Sequence, residues 1–466
     1  MRRNLARRGP RPRRPEALTG NEPNHAGEPF VNPVDALGRR SEGEAVISIR
    51  PLTLADGDEL LAIDHFAFVA DPDEVPAEQS LEGLDMDRTF GAEHDDRPGE
   101  LAGIYTSFDL RMRVPGSDAD DGARLVPMNG LTAVGVHPDM RRRGVLRAMI
   151  RHHLEQARDR GDVIAGLHAS EPVIYGRFGY SVASHDVHYS LGSGTKLPAS
   201  EPITALADRT DVRTLLDLDD DTIARRLHEL DLVSPALGTV VVPEAVVRRR
   251  LRDNPTSRVG KEPRRALIAT REGRDVGVAV FRREVTWDDG NADGHVNVTY
   301  LTAVDEGALL ALGRRLVEMD LMSRVDLGQR GLDDPLLNWA GSVRTRTVRV
   351  ADALWLRPVE VSGMLTARGY ATPLDLTLEV RDDTCDWNSG TWRLVVDETG
   401  EAECVRSDAD ADIRLDVDVI GELFLGLRGA RALASLGRIT ERTPGSVAAL
   451  NSAFATGIQP IGGTGF

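Results

Sequence analysis

Apolar and polar positions alternate, or recur with helical spacing, along most of the chain from Val46 onward. Alternation at every second position, which is typical of strands, occurs at 46–49, 101–108, 110–114, 128–136 and 163–167. Helical spacing covers 54–68 and the segment that Gly144 opens and Gly161 ends. This order of strand, helix, three strands, helix and strand predicts a mixed sheet with helices on its faces.

A similar order of elements recurs after a turn-rich joint at 192–198. Helices at 219–230 and 243–254 precede strands at 266–270, 276–282 and 296–304 and a helix at 306–320. Beyond a second boundary near 359–362, the pattern predicts strands at 374–380, 392–396, 402–405 and 413–417 and helices at 419–426, 430–437 and 444–454. We therefore expect a duplicated fold whose second copy has drifted in sequence, followed by a third domain.

The N-terminal 44 residues differ in composition from the rest of the chain. They contain six prolines and too few apolar residues to offset the entropy of ordering. The first fourteen residues hold seven arginines and no acidic residue, and no apolar stretch of a signal peptide follows them. We expect a disordered tail at 1–44 and domains at 45–195, 196–358 and 359–466.

Composition and charge narrow the possible functions. The 466 residues are 41% hydrophobic and 28% charged, as in globular proteins. The formal net charge is −17, to which the seven tail arginines contribute +7, so residues 15–466 carry −24. This disfavours nucleic acid as the main partner. No apolar run approaches the roughly 20 residues of a membrane span, and we expect a cytoplasmic protein.

The cysteine and histidine content gives no metal motif. Cys385 and Cys404 are too few for a disulfide framework or a four-thiolate zinc site. The histidine pairs, His152-His153 and His185-x-x-His188, stand outside any recognisable ligand pattern. No metal is therefore expected.

The clearest chemical signal is a strand that ends in a short basic loop before a helix. The loop contains three arginines at 141–143 and then Gly144, which precedes the first helical turn. First-turn amides have no acceptor within a helix, and with the helix dipole they favour an anion such as phosphate. The arginines would reinforce that charge, and Gly144 would let an oxyanion approach the backbone. An ordinary helix start with a solvated basic face is the alternative.

The residues of this loop follow the pattern Val-x-Val-x-Pro-x-x-Arg-Arg-x-Gly from Val134 to Gly144. This pattern resembles the acetyl-CoA-binding motif of the GNAT superfamily of N-acetyltransferases, in which the strand pairs with pantetheine and the loop amides hold the pyrophosphate. The resemblance implies cofactor contacts at Val134, Val136, Arg141, Arg142, Gly144 and Val145. Leu146 departs from the Gly or Ala that most of the superfamily has there.

Two further segments resemble the Eis (enhanced intracellular survival) family of acetyltransferases. One is the run from Leu167 to Tyr180, with Ala-Ser-Glu followed by Ile-Tyr-Gly-Arg-Phe-Gly-Tyr, and the other is the chain end, Gly-Gly-Thr-Gly-Phe. The resemblance implies an α+β fold with tandem GNAT domains, each a mixed β-sheet flanked by helices, followed by a sterol-carrier-like α/β domain. It covers residues 45–466 and implies acetyl-CoA as co-substrate and a homohexamer.

The same resemblance implies catalytic roles for two residues. Tyr175 would be the general acid and the carboxylate of Phe466 the general base, while Ser170 would contact the cofactor. A phenol with a pKa near 10 can protonate a thiolate whose conjugate acid has a pKa near 8.5, because this proton transfer is only slightly uphill in free energy. A terminal carboxylate, with a pKa of about 3.5, attracts a cation more readily than it deprotonates one. The alternatives are purely structural: a packed aromatic ring at Tyr175, a frayed chain end at Phe466 and the end of a strand at Ser170.

Acidic residues suggest an acceptor site and mark the second copy as different. Asp71, Asp73 and Glu74 could line a site for a cationic amine, or form a solvated loop face.

In the second copy, Asp305 and Glu306 stand where the first has its basic loop, and they would repel pyrophosphate. That domain is expected to be structural.

Together these features predict an acetyl-CoA-dependent N-acetyltransferase that acts by direct transfer on primary amines of a cationic acceptor. The family suggests aminoglycosides, lysine side chains and arylalkylamines as acceptors. The alternative is a lipid-binding protein that uses its last domain and has an inactive acetyltransferase region. Apolar alternation at 374–380 suits either a closed core or a lipid tunnel.

Overall fold

The computed structural model describes residues 46–69, 77–117, 123–253, 258, 260–341 and 347–466. The tail expected at 1–44 lies outside these residues. Within them, no helix is both long enough and apolar enough to cross a membrane.

The first part of the chain contains, in order, β1 (Ile47–Pro51), α1 (Gly57–Phe68), α2 (Ala77–Ser80), β2 (Thr89–His94), β3 (Arg97–Pro115), β4 (Ala123–Val136), α3 (Val145–Asp159), β5 (Ile164–His168), α4 (Pro172–Tyr175), β6 (Ser181–Val182) and β7 (His185–Gly192). The middle part contains α5 (Glu201–Asp208), β8 (Asp211–Leu215), α6 (Asp220–Val233), β9 (Val240–Val241), α7 (Glu244–Leu251), β10 (Arg265–Arg271), β11 (Arg274–Glu284), β12 (Trp287–Asp288), β13 (Asn291–Ala292), β14 (Gly294–Ala303), α8 (Glu306–Val317), β15 (Met322–Arg330), α9 (Pro335–Trp339), β16 (Val348–Asp352) and β17 (Leu354–Pro358). The last part contains α10 (Val361–Thr366), β18 (Leu374–Arg381), β19 (Gly390–Val396), β20 (Ala402–Arg406), β21 (Ile413–Asp416), α11 (Val417–Phe424), α12 (Ala430–Ser435), β22 (Ile439–Glu441) and α13 (Ser446–Ala453).

These strands form three main sheets. The first has the order β1-β2-β3-β4-β5-β17-β6, with β9 paired to β3, and the second has the order β16-β7-β15-β14-β11-β10-β8. The third has the order β20-β19-β18-β21-β22. Two mixed sheets with helices on their faces and a third smaller sheet confirm the expected α+β architecture.

The first two sheets exchange strands. β7, from the first part of the chain, pairs with β15 and β16 in the second sheet, whereas β17, from the middle part, inserts between β5 and β6 in the first. The two copies of the fold therefore share hydrogen-bonded ladders. The domain boundaries at 195 and 358 stay predictions. Each of the first two sheets contains strands from both sides of residue 195, whereas the third sheet lies entirely beyond residue 358.

The strand prediction for the first sheet was wrong in two places. The segments at 101–108 and 110–114 are parts of one 19-residue strand, β3. Asp109 does not interrupt it, because its side chain points outward in the same alternation as the exposed Arg111. β2 was missed because five of its six residues are buried, so that no alternation marks it in the sequence.

The last domain is fixed against the first sheet. Arg357 on β17 donates from Nη2 to Asp382 Oδ2 at 2.6 Å, and each of the two side chains is at most 1% exposed. Gly421 on α11 packs so closely on the carbonyl of Leu356 that a Cβ would collide with it. Because breaking a buried ion pair is costly, we expect this contact to be rigid.

After α13 the chain crosses the middle part before it reaches the first sheet. The amide of Gln459 donates to Asp333 Oδ2 at 2.7 Å, and that of Ile461 donates to the carbonyl of Leu237 at 2.8 Å. Gly238, at φ +84°, has no room for a Cβ, which would lie 2.9 Å from the carbonyl oxygen of Ile461. The end of the chain is thus held along a defined path.

Candidate active site

The cleft of the first sheet lies where β4 and β5 diverge. These parallel strands pair only at Asn129 with Ala165 and Gly130 with Gly166. Beyond this point β4 stays paired with β3 and β5 with β17, so a gap opens between their carboxyl-terminal halves. Gaps of this kind, at the carboxyl ends of parallel strands, are common ligand sites.

A bulge in β4 shapes one wall of this cleft. Thr132 faces Thr106 and Gly135 faces Ile104, so that two residues of β4 lie opposite the single Tyr105. One of them, Ala133, has φ +48°, a conformation that costs a non-glycine residue about 1–3 kcal/mol. A bulge leaves backbone groups outside the ladder, which makes them available to a ligand.

The basic loop lies between β4 and α3. Gly144 caps α3 at φ +89°, and no side chain accepts a hydrogen bond from the first-turn amides of that helix. Arg141 and Arg142 are exposed and form no ion pair among the described residues, whereas Arg143 is paired with Asp96. The expectation that all three arginines add free charge is therefore wrong for Arg143.

A second basic region includes Arg147 and Arg151 of α3. It is a cavity of about 450 Å³ lined by Arg147, Arg151, Arg177, Phe178, Asp383 and Thr384. Arg151 is paired with Glu155 at 2.9 Å. An uncapped helix start and nearby arginines are groups that can bind phosphate.

Tyr175 ends α4, a few residues beyond the end of β5. Its ring is buried, perpendicular to that of Tyr180 at a centroid distance of 6.3 Å. Burial, with a smaller effect of Glu171, raises the pKa of Tyr175 to about 12. Its hydroxyl makes no hydrogen bond within the described part of the chain, so it is protonated and free to donate.

The chain end lies in the same cleft. Thr132 Oγ1 donates to the Phe466 oxygen at 3.2 Å, and the Phe466 residue is only 9% exposed. The Phe466 ring meets the edge of the His168 ring at a centroid distance of 5.1 Å. Phe466 is thus placed beside the bulged strand, more than three hundred residues away in sequence.

His168 and Thr132 are site residues that the sequence reasoning missed. Burial, followed by the charge of Arg250, lowers the pKa of His168 to about 4, so the ring is neutral at physiological pH. Its Nε2 has no hydrogen-bond partner among the described residues. The position of His168 at the carboxyl end of β5, just before the Ala-Ser-Glu motif, was the available signal.

The remaining candidates occupy different places. Val134 and Val136 are half-buried on the bulged strand, and Val145 is buried at the start of α3. Ser170 is exposed two residues beyond β5. The three acidic candidates for the acceptor site, Asp71, Asp73 and Glu74, lie outside the described residues.

The corresponding place in the second sheet holds a cavity of about 280 Å³, but the helix start beside it is capped. Asp305 Oδ1 accepts from the amide of Ala308 at 2.8 Å and its carboxylate pairs with Arg271, so the start of α8 is capped. Arg330 on β15 donates from Nη1 to the carbonyl of Leu301 on β14 at 3.0 Å. The Arg330 side chain thus bridges β14 and β15, the strands that correspond to the diverging β4 and β5 of the first sheet.

Comparison with known proteins matches three segments of this chain to domain families. Profiles described as acetyltransferase (GNAT) domains match residues 48–183 and 238–358, and a sterol carrier protein domain matches residues 361–462. An uncharacterized N-acetyltransferase of Streptomyces avermitilis is 34% identical over 376 residues, which cover 81% of this chain and 88% of the relative.

The N-acetyltransferase Eis of Mycobacterium tuberculosis is 30% identical over 434 residues, which cover 86% of this chain and 94% of the relative. The crystal structure of Eis1 from Mycobacterium abscessus superposes with a TM-score of 0.74 at 26% identity, covering 90% of this chain and 100% of the other. The chain is an acyltransferase that belongs to the Eis family of GNAT N-acetyltransferases.

Proposed function

We propose that this protein transfers the acetyl group of acetyl-CoA directly to a primary amine of a cationic acceptor. The observation that carries the proposal is the cleft between β4 and β5, which has an uncapped helix start and two unpaired arginines at one side and the terminal carboxylate of Phe466 at another. The residues present fit the co-substrate, because free amides and arginines bind pyrophosphate.

Acetyl-CoA, when bound, supplies an acetyl group activated as a thioester. Arg141, Arg142, the Gly144 backbone and the first turn of α3 from Val145 would bind its phosphates. Val134 and Val136 would bind the pantetheine arm, with Ser170 at the far wall. Backbone amides of the bulge would donate to the carbonyl oxygen of the acetyl group and stabilise negative charge there.

Tyr175 would assist departure of the sulfur, and Phe466 would receive the proton of the amine. With a pKa of about 12, the Tyr175 phenol lies about three and a half units above a thiol at about 8.5, so full proton transfer to sulfur is uphill by roughly 5 kcal/mol. Tyr175 therefore acts mainly through a hydrogen bond from Oη to the leaving sulfur. The Phe466 carboxylate attracts the ammonium group and receives its proton, directly or through water.

Acceptor attraction is also consistent with the charge of the chain. The −24 carried by residues 15–466 would steer a cation, and the acidic residues Asp71, Asp73 and Glu74 stay candidates for contacting it. The hexameric assembly and the cytoplasmic location expected from the sequence also stay predictions.

The lipid-carrier alternative is less well supported. The apolar side chains that would line a tunnel in the last domain, such as Leu378, Leu394 and Phe424, are buried in one packed core. Arg368 is fully buried there and donates to the carbonyls of Phe424 and Phe454. A buried guanidinium at this place would be unfavourable next to the apolar tail of a lipid.

The decisive experiment measures release of the CoA thiol from acetyl-CoA with a panel of primary amines. We expect amine-dependent release and an acetylated amine in the mass spectrum. Release at the rate of the amine-free blank for every amine, together with lipid retained in native mass spectra, would favour the lipid-carrier function instead.

A further inference from the structure

The cavity of about 450 Å³ beside α3 offers positive charge that the basic loop does not include. The arginines that line it are Arg147, Arg151 and Arg177, and all three side chains are exposed. Arg147 is the third residue of α3, so the cavity begins within the first helical turn after the basic loop. Asp383 and Thr384, from the last domain, form the opposite wall.

Two separate segments supply these arginines. Arg147 and Arg151 are four positions apart on α3, and residues with this spacing are neighbours on one side of a helix, ~6 Å apart along its axis. Arg177 comes from the turn that follows α4. Because all three line the same cavity, their guanidiniums surround one space.

Two of the three guanidiniums have no acidic partner. Neither Arg147 nor Arg177 forms an ion pair with the residues that the structure describes. Arg177 donates from Nε to the carbonyl of Ile174 at 3.4 Å, and its guanidinium carbon lies 5.8 Å from the centre of the Phe178 ring. A carbonyl and an aromatic ring carry no net charge, so these contacts leave the positive charge of Arg177 uncancelled.

The other charged side chains of the cavity are in ion pairs. Arg151 pairs with Glu155 at 2.9 Å and lies 3.9 Å from Asp386. Asp383 pairs with Arg381 at 2.6 Å. The two remaining arginines are always protonated, so they give the cavity a charge of about +2. Arg151 adds hydrogen-bond donors to that charge.

Coenzyme A has a phosphate group that fits this charge. Besides the pyrophosphate on the 5′ position of its ribose, it carries a phosphate monoester on the 3′ position of the same sugar. A pyrophosphate at the start of α3 would therefore leave the 3′-phosphate close to the first turns of that helix. A phosphate monoester carries a charge of about −1.5 to −2 at pH 7. Guanidiniums bind such a group through paired N–H···O bonds.

We propose that Arg147, Arg151 and Arg177 bind the 3′-phosphate of CoA, and that the protein thereby distinguishes CoA from 3′-dephospho-CoA. This inference rests on the proposed function and deepens it, because it assigns a part of the co-substrate that the basic loop does not hold. The thiol, the pantetheine arm and the pyrophosphate are the same in the two cofactors. The discrimination therefore comes from contacts with the 3′-phosphate.

Calorimetry with CoA and with 3′-dephospho-CoA tests the assignment without any turnover. We expect the wild-type protein to bind CoA roughly 10- to 100-fold more tightly, the range expected for charge-assisted hydrogen bonds. Arg147→Gln and Arg177→Gln should each lower this ratio by roughly 3- to 10-fold, by weakening the binding of CoA alone. The double variant should bring the ratio close to one. Arg177→Lys should keep part of it, because lysine keeps the charge but loses the paired donors.

Two comparisons make the result specific. Arg158→Gln removes an arginine of α3 that pairs with Glu360 and does not line the cavity, so it should leave the ratio unchanged. Arg141→Glu combined with Arg142→Glu should weaken the binding of both cofactors alike, because both contain the pyrophosphate. Circular dichroism checks the folding of each variant, and if one of the two single glutamine variants does not fold, the other carries the test.

The outcomes separate this inference from the proposed function. With acetyl-CoA and acetyl-3′-dephospho-CoA as donors, the difference should appear in the KM of the donor and not in kcat. A binding ratio that depends on Arg147 and Arg177, without acetyl transfer to any amine, would support the phosphate site and overturn the proposed function. Equal affinities for the two cofactors, or a ratio that the double variant keeps, would overturn the phosphate site while acetyl transfer stands.

Discussion

The ring of Phe466 packs directly on the backbone of Gly130, where β4 and β5 make their last parallel contact. A Cβ built at Gly130 would lie 2.8 Å from Phe466 Cε2 and would also collide with Leu110. The absence of a side chain at Gly130 is therefore what admits the chain end to the cleft. This contact joins β4, at the candidate active site, to Phe466.

Gly130→Ala should displace the Phe466 ring and lower kcat/KM for the amine roughly 10-fold or more, since overpacking of this kind costs about 1–3 kcal/mol. CoA affinity should change little, because the basic loop is untouched. Gly457→Ala is the matched control, since a Cβ there meets nothing within 4 Å. Steady-state kinetics of both variants measure this effect. If Gly130→Ala and Gly457→Ala have the same kcat/KM, the chain end tolerates displacement.

Extending the chain beyond Phe466 should abolish most amine acetylation. An added residue replaces the terminal carboxylate by a neutral amide and adds bulk where Thr132 holds the Phe466 oxygen at 3.2 Å. An N-terminal tag of the same length is the control, and calorimetry should show CoA binding unchanged in both. Full activity of the C-terminally extended protein would mean that another group receives the proton.

Tyr175→Phe should lower kcat by roughly 10²-fold, the usual contribution of a positioned proton donor, with CoA affinity nearly unchanged. Tyr180→Phe is an unusually close control, because the buried hydroxyl of Tyr180 has no hydrogen-bond partner among the described residues and its loss breaks no hydrogen bond there. Since the pKa of Tyr175 is raised to about 12, no loss of activity from its ionisation should occur below pH 11. An alkaline loss near pH 10 in the wild type, absent from Tyr175→Phe, would contradict this.

Arg141→Glu combined with Arg142→Glu should weaken CoA binding by at least 10-fold, since two unpaired charges near the pyrophosphate are reversed. Arg143→Gln should have a much smaller effect, because the charge of Arg143 is already neutralised by Asp96. Calorimetry should give one CoA per chain, as the start of α8 is capped by Asp305. Two equivalent sites would refute this reading of the second sheet.

Stability should fall as the pH drops below about 6.5. Burial lowers the pKa of His153 to about 3, so between about 6.5 and 3 the unfolded chain binds a proton at this residue that the native protein does not. More protons bound in the unfolded state mean that stability rises with pH in this window. The free energy of unfolding, measured by urea denaturation from pH 4 to 7.5, should depend less steeply on pH in His153→Leu than in the wild type. An equal dependence on pH in the two proteins would contradict a lowered pKa at His153.

The local chemistry of this protein was readable from its sequence. The strand that precedes the basic loop, Gly144 at the helix start, and the acidic residue at the corresponding place in the second copy are contiguous patterns. Their physical consequences act within one or two helical turns: free amides at the start of α3, and a cap by Asp305 at the start of α8. Periodicity located most strands, failing for β2, whose burial on both faces removes the alternation.

Tertiary structure decided everything that depends on contacts between distant segments. The exchange of β7 and β17 between sheets depends on ladder hydrogen bonds, which any strand of suitable twist can make and which leave no mark on local periodicity. The approach of Phe466 to Thr132, 334 positions apart, depends on the docking of the last domain and the path of its tail. The pairing of Arg143 with Asp96, 47 positions apart, likewise depends on the fold, because Coulomb interactions depend on distance in space and not on position in the chain.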